Sequence, residues 1–248
     1  MVALVTGGAH RLGAELALSL AAEGYDLWIH YRGSAQAASE LVDRLIQKGG
    51  RATAVQADLA CGGGAEALLA ALRSGPLPFP SVVVHSASQW LVDSWRSALY
   101  EDWESAHRLH SWTALQLARG LAEYAEKANG TCHLITLLDA RSRDRDPDHF
   151  SYAFAKRELG LLTRWLALEL APGVRVNGIA PGLALRPETM PLAQWEQMAL
   201  ESTPLREPAT PDQVVSALRF LLDSPTVTGQ VISVDSGRHL HGDLFGSL

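Results

Sequence analysis

Apolar positions along the chain fall into two alternating kinds of run. Short, strand-like runs cover residues 2–6, 26–30, 52–56, 81–85, 131–137, 174–180 and 230–234. Longer helical stretches lie between them, at 11–23, 35–48, 64–73, 100–127, 151–171 and 211–223. Strands that alternate with helices predict parallel pairing through right-handed crossovers. Val82-Val83-Val84 and Val231-Ile232 lack the polar alternation of a half-exposed strand, so a sheet covered on both faces is expected.

The breaks fit this pattern. Gly24 and Gly49-Gly50 close helices, and Pro76, Pro78 and Pro80 turn the chain into the fourth strand. Repeats, linkers and low-complexity tracts are absent, so 1–248 reads as a single domain. Residues 141–148 form a dense mixed-charge loop, read as a solvated surface segment. Residues 187–207 look like an inserted helix with loose ends, suited to closing over a substrate as a lid.

Composition narrows the class. Apolar residues make up 47% of the 248 positions and charged residues 19%, enough for a sizeable core. The formal charge of −6 argues against nucleic acid or an anionic membrane as the main partner. Cys61 and Cys132 have no metal-like spacing and read as buried free thiols in a reducing compartment. Met1 runs directly into a strand, leaving no room for a cleaved leader. The apolar stretch 159–170 carries Arg164 and Glu169 and is too short to span a bilayer. A soluble cytoplasmic protein is expected.

The first strand runs into Thr6-Gly7-Gly8-Ala9-His10-Arg11-Leu12-Gly13. Glycines at a strand–helix junction let the backbone approach a pyrophosphate, and the helix start supplies free N–H groups. Gly7, Gly8 and Gly13 suit that work. The second strand ends in Ile29-His30-Tyr31-Arg32-Gly33-Ser34, with no carboxylate to hold ribose hydroxyls. Arg32 and Ser34 can instead donate to a 2′-phosphate, with Arg11 as a second cation, so NADPH is favoured over NADH. Arg32 as an ordinary exposed arginine is the plainer reading. Asp58, after the third strand, suits either the adenine amino group or a helix cap.

Tyr152 and Lys156 lie four apart and share a helix face, with Asp139 thirteen residues upstream of the tyrosine. A lysine ammonium stabilises a phenolate and lowers the tyrosine pKa toward neutrality, which suits proton transfer. Asp139 is open to a second role, a salt bridge to Arg141 or Arg143.

Taken in order, the glycine loop, His85-Ser86-Ala87-Ser88, Asp139, Tyr152, Lys156 and Pro181-Gly182 resemble the short-chain dehydrogenase/reductase family over essentially the whole chain. The resemblance implies a single doubly wound Rossmann-type α/β domain, with a seven-stranded parallel sheet and helices on both faces. Arg11 at the middle glycine, Asp139 at the usual serine, Trp90, and the tail Asp235-Ser236-Gly237-Arg238-His239-Leu240 are similar to the pteridine reductase and dihydromonapterin (dihydrofolate) reductase branch. It implies catalysis by Asp139, Tyr152 and Lys156. NADPH/NADP contacts are implied for Gly7, His10, Arg11, Leu12, Tyr31, Arg32, Ser34, Asp58, Leu59, Ser86, Ala87, Ser88, Tyr152, Lys156, Pro181, Gly182 and Leu183. The pterin would meet Arg11, Ser88, Trp90, Asp139, Tyr152, Leu183 and Trp195, with Trp90 stacking on its ring and Met190 near the far wall. Homotetramers through 100–127, 151–171 and the C-terminal strand are the family's habit.

Departures from the family bear on mechanism. A serine hydroxyl donates to the developing charge on a ketone oxygen, whereas a carboxylate suits a ring nitrogen. His110-Ser111-Trp112 holds no asparagine where relatives use one to lead water to the lysine. Ser86 also replaces an asparagine after strand four. His107 and His110 in the 100–127 stretch could stand in for the water-leading asparagine, and packed or solvent-facing histidines are the plainer reading of each. The leading reading is hydride transfer from NADPH to a dihydropterin C=N bond. The others are a reductase of a 3-oxoacyl thioester or small ketone, and an NADPH-binding protein without turnover.

Overall fold

The computed structural model describes residues 1–140, 146–187 and 189–240. Seven strands form one parallel sheet in the order β3-β2-β1-β4-β5-β6-β7. They are β1 (Val2–Thr6), β2 (Asp26–Tyr31), β3 (Ala52–Gln56), β4 (Val82–His85), β5 (Cys132–Leu137), β6 (Val174–Pro181) and β7 (Val231–Val234). The order reverses between β1 and β4, and the loops leaving those two strands diverge into a crevice where α/β folds bind ligands.

Helices α1 (Arg11–Ala22), α2 (Ala35–Gln47) and α3 (Gly64–Ser74) connect the first four strands. Next come α4 (Tyr100–His107), α5 (Thr113–Ala128), α6 (Phe150–Glu169), α7 (Leu192–Ser202) and α8 (Pro211–Asp223). Alternate residues of each central strand serve opposite cores. Leu4, Val83, Leu134 and Val176 pack on the side of α3 and α5. Ala3, Val5, Val82, Val84 and Ile135 pack with Leu16, Leu41 and Leu218 of α1, α2 and α8. All five residues of β1 and all eight of β6 are buried, as strands covered on both faces are, and the polar Arg175 and Asn177 of β6 bond the carbonyls of Leu221 and Val227.

Two expectations need correcting. Val231 and Ile232 are only partly buried, because β7 is an edge strand paired on one side. The run 100–127 is not one α-helix: Arg108–Trp112 forms a π segment between α4 and α5. A π turn leaves a carbonyl out of the usual ladder, and the Thr113 hydroxyl donates to that of Arg108 at 3.0 Å. Among the described residues, no helix is long and apolar enough to cross a membrane.

Candidate active site

The glycine loop is held from both sides by neutral histidines. Thr6 Oγ1 accepts from the Ser86 and Ala87 amides, each at 3.0 Å, so its own proton goes to His85 Nδ1 at 2.9 Å. His85 Nε2–H is therefore the donor to Leu109 O at 3.1 Å and His110 O at 3.2 Å. One imidazole thus ties β1, the β4 loop and the π segment together. His30 does the same for β2: Gly7 N–H donates to its Nδ1 at 3.0 Å, and its Nε2–H donates to Ala57 O at 3.1 Å. Burial above all pushes His30 down to about 4 and His85 down to about 3.

Close approach explains the glycines. A Cβ on Gly13 would lie 2.2 Å from Gly7 O, and Gly7 itself has φ +63° and would press a Cβ to 2.9 Å from Ala87 Cα. Arg11 stands where the family pattern has a glycine and still adopts φ +50°. Its guanidinium donates to Leu185 O at 3.3 Å, joining the glycine loop to the segment after β6. Neither α1, behind His10, nor α2, behind Ser34, has a side-chain cap bond or an acidic residue in its first turn, among the described residues. Both starts keep amide donors for an anion. A surface depression lined by His10, Gly33, Ser34 and Gln36 lies between them, beside exposed Arg32 and half-buried Tyr31.

Asp58 and Cys61 share one local turn. Asp58 accepts from Ala60 N at 3.0 Å and from the Cys61 thiol at 3.4 Å, closing a local turn, while Gly63 occupies the cap position of α3. The helix-cap alternative for Asp58 therefore fails. Cys61 is exposed, not buried, because this turn stands clear of the sheet; Cys132, inside β5, is buried as expected. Leu59 is buried beside them.

Across the crevice, the catalytic candidates converge. The Tyr152 hydroxyl donates to Asp139 Oδ2 at 2.8 Å. Lys156 Nζ donates to Leu137 O at 2.7 Å and lies 5.7 Å from the Tyr152 ring centre. Burial lowers Lys156 to about 8, with Asp139 pulling the other way. The Trp90 ring, half exposed, stands 4.8 Å from the Tyr152 ring and 4.1 Å from that of His149. Ser88 is exposed at the mouth; Ser86 and Ala87 are held by Thr6; Pro181 ends β6 and Gly182 follows it. Leu183 packs with Trp195, Met190 and Ala199 in a small separate cluster, with α7 inside the expected 187–207 segment. Leu12 lies half-buried in the α1 core. The alternative partners of Asp139, Arg141 and Arg143, lie outside the described residues, as does most of the mixed-charge loop 141–148.

Sequence reasoning missed Asp93. Its buried carboxylate accepts from Ser151 N at 3.0 Å and from the Ser151 hydroxyl, fixing the first turn of α6 just before Tyr152. Backbone bonds Asp93 N–Asp148 O (2.9 Å) and Phe150 N–Asp93 O (3.2 Å) tie the Trp90 loop to the same turn. No local motif announces a cap supplied 58 residues away. His30 and His85 were visible as residues, but their burial was not.

Comparison with known proteins agrees with this geometry. A family profile described as Enoyl-(Acyl carrier protein) reductase matches residues 7–239. The chain belongs to the short-chain dehydrogenase/reductase family. Within it, the chain falls in the pteridine and dihydromonapterin reductase-like branch. A dihydromonapterin reductase of Citrobacter koseri is 30% identical over 241 residues, covering 96% of both chains. The FolM alternative dihydrofolate reductase 1 of Brucella canis, solved with NADP, superposes with TM-score 0.85 at 30% identity, over 96% of this chain and 94% of that one. Acetoin dehydrogenase YohF of Salmonella typhimurium superposes with TM-score 0.83 at 26% identity, over 96% and 97%.

Proposed function

We propose that the protein reduces a dihydropterin or dihydrofolate-like substrate with NADPH. One observation carries the reading: the Tyr152 hydroxyl is bonded to the Asp139 carboxylate beside the Trp90 ring. A phenol and a carboxylate that share one proton can release it to a ring nitrogen, and buried Lys156 stabilises the charge left behind. Bound NADPH supplies the hydride to the adjacent carbon. Trp90 offers a flat face for a heterocycle, and Ser88 and Arg11 offer donors at its edge. The names of the 30% identical relatives support the same substrate class.

The depression at His10 and Ser34, with Arg32 at its side, suits the cofactor's 2′-phosphate. The segment 187–207, with Trp195 and Leu183, serves as the lid. Exposed Leu161, Trp165 and Leu168 on α6 support self-association, with the homotetramer the family's usual state, checked by light scattering.

NADPH oxidation with dihydrobiopterin, dihydrofolate and an acetoacetyl thioester in parallel tests the substrate. Turnover of the pterins alone is expected. Turnover of the thioester alone would move the site to carbonyl reduction, and tight NADPH binding without any turnover would remove the enzyme altogether. Replacing the carboxylate by the family's hydroxyl, Asp139→Ser, is expected to lower pterin turnover about tenfold or more. A fully active variant would make Asp139 incidental.

A further inference from the structure

Helix α6 starts without a cap of its own. His149 stands at its cap position and gives no side-chain cap bond, and the first turn holds no acidic residue. The missing group comes from 58 residues upstream of Ser151. Asp93, 7% exposed, accepts from the Ser151 amide at 3.0 Å and from the Ser151 hydroxyl as well. Burying a carboxylate is costly, and the positive end of α6 offsets part of the cost. A serine or aspartate at position 149 would cap the same turn without that burial. Helix stability alone therefore does not account for Asp93. Its use lies in what it joins.

Asp93 joins the two groups that a substrate must meet together. It belongs to the loop after β4, three residues beyond Trp90. Among the described residues 88–100, Asp93 alone is buried. Its amide donates to Asp148 O at 2.9 Å and its carbonyl accepts from Phe150 N at 3.2 Å, so main chain and side chain both reach into 148–151. Tyr152 is the next residue. The rings pack across the same seam. Trp90 lies 4.1 Å from His149 and 4.8 Å from Tyr152, and His149 Nδ1 is paired with Asp146 at 3.0 Å. Before Trp90 the loop is tied elsewhere: Thr6 takes the amides of Ser86 and Ala87, and Gln89 donates to Ser105 Oγ at 2.8 Å.

We propose that Asp93 is a positioning residue of the reductase, locking the Trp90 loop to the start of α6 so that the stacking face and the Tyr152 hydroxyl keep one spacing. This role rests on the reductase reading above. Asp93 acts through Trp90 and Tyr152, not on the reacting atoms. A flat ring stacked on Trp90 then arrives with its nitrogen at the phenol. With the lock open the ring still stacks, but on a loop that moves apart from the acid. A displacement of about 1 Å costs about 100-fold in rate.

Kinetics with dihydrobiopterin and amide exchange test the lock. The kcat is counted per NADPH site, so that loss of folded enzyme does not enter. Asp93→Ala should lower kcat about 10- to 100-fold, with KM and NADPH affinity barely changed. Asp93→Asn keeps an acceptor for the Ser151 amide and should recover most of the rate. In a Trp90→Ala background, Asp93→Ala should cost less than about twofold more, because the spacing it guards is already gone. Equal losses in both backgrounds make Asp93 a helix cap only and overturn the proposal, as does an Asp93→Ala enzyme with normal kcat. If Asp93→Ala does not fold, Ser151→Ala removes the hydroxyl bond alone and enters the same cycle with a smaller loss. Amide exchange followed by mass spectrometry reads the lock without a substrate. In either variant, residues 88–99 and 148–153 should exchange faster together, by about fivefold in Asp93→Ala. Faster exchange at 148–153 with 88–99 unchanged overturns the lock. A wild type that binds NADPH but reduces no dihydropterin defeats the functional reading instead, and the exchange still decides the lock.

Discussion

Two sets of buried histidines meet at the carboxyl ends of the strands, and they are treated in opposite ways. His30 and His85 have both nitrogens bonded to protein, and each joins segments distant in sequence. His110, equally buried, has neither nitrogen bonded to protein among the described residues. The first pair builds a scaffold with fixed tautomers around the glycine loop. The third sits beside Tyr152, its ring edge-on with centroids 5.8 Å apart. Burial alone therefore does not make a histidine part of the scaffold; the distribution of its bonds does.

Acid attacks the scaffold side of this contrast most strongly. His30 is lowered to about 4 and His85 to about 3, from the ordinary 6.5, chiefly by burial. The unfolded chain binds protons on these rings below pH 6.5, and the folded chain does not until about 4 or lower. Stability is thus fully present above pH 6.5 and falls as pH drops through that window, by about 1.4 kcal/mol per pH unit for each ring. Acting together, they should unfold the protein before pH 4, measured as a falling melting temperature between pH 6.5 and 4. A flat profile would mean the rings are charged or solvated in the fold.

On the working side, Tyr152→Phe removes the proton donor and keeps the ring against Trp90 and His110. Turnover should fall about 10²- to 10⁴-fold while NADPH affinity barely changes. Fluorescence titration and steady-state kinetics separate the two effects. Unchanged turnover would take the phenol out of the chemistry.

Much of this was legible in the sequence, for a physical reason. Strands buried on both faces are mostly apolar, so β1, β4 and β6 announced themselves to within a residue or so, even with Arg175 and Asn177 inside β6. Tyr152 and Lys156 were legible because helix geometry turns a spacing of four into a shared face, and Asp139 because it stands at the serine position of the family that the chain resembles. The π segment was not, since one extra residue in a turn leaves the composition of 108–112 looking helical. Asp93 was hidden because its partner, Ser151, is local only after folding. Edge position hid the exposure of Val231 and Ile232, which look like interior residues but have a strand on one side only.

Truncating one histidine from each set sharpens the contrast. His85→Leu strands the Thr6 hydroxyl and the carbonyls of Leu109 and His110 without their donor or acceptor. It should cost about 1–3 kcal/mol in denaturant unfolding and weaken NADPH by disturbing the glycine loop. His110→Phe removes polar atoms that had no protein partner and should leave stability nearly unchanged. Equal losses in the two variants would erase the distinction between them.

The smallest effect belongs to the rim, where neither kind of burial applies. Arg32 is exposed and its backbone carbonyl, not its guanidinium, is fixed by Gln56 at 3.0 Å. A solvent-exposed cation contributes about 1 kcal/mol to holding a phosphate, and salt screens it. Arg32→Ala should therefore weaken NADPH about five- to tenfold and leave NADH nearly untouched. Wild-type preference for NADPH should shrink as ionic strength rises, toward the residue set by the uncapped start of α2 and Ser34, which salt screens less. Equal losses for both cofactors would place the reading of the 2′-phosphate elsewhere, and Arg11, held at Leu185 O on the opposite side of the loop, would be the next cation to remove.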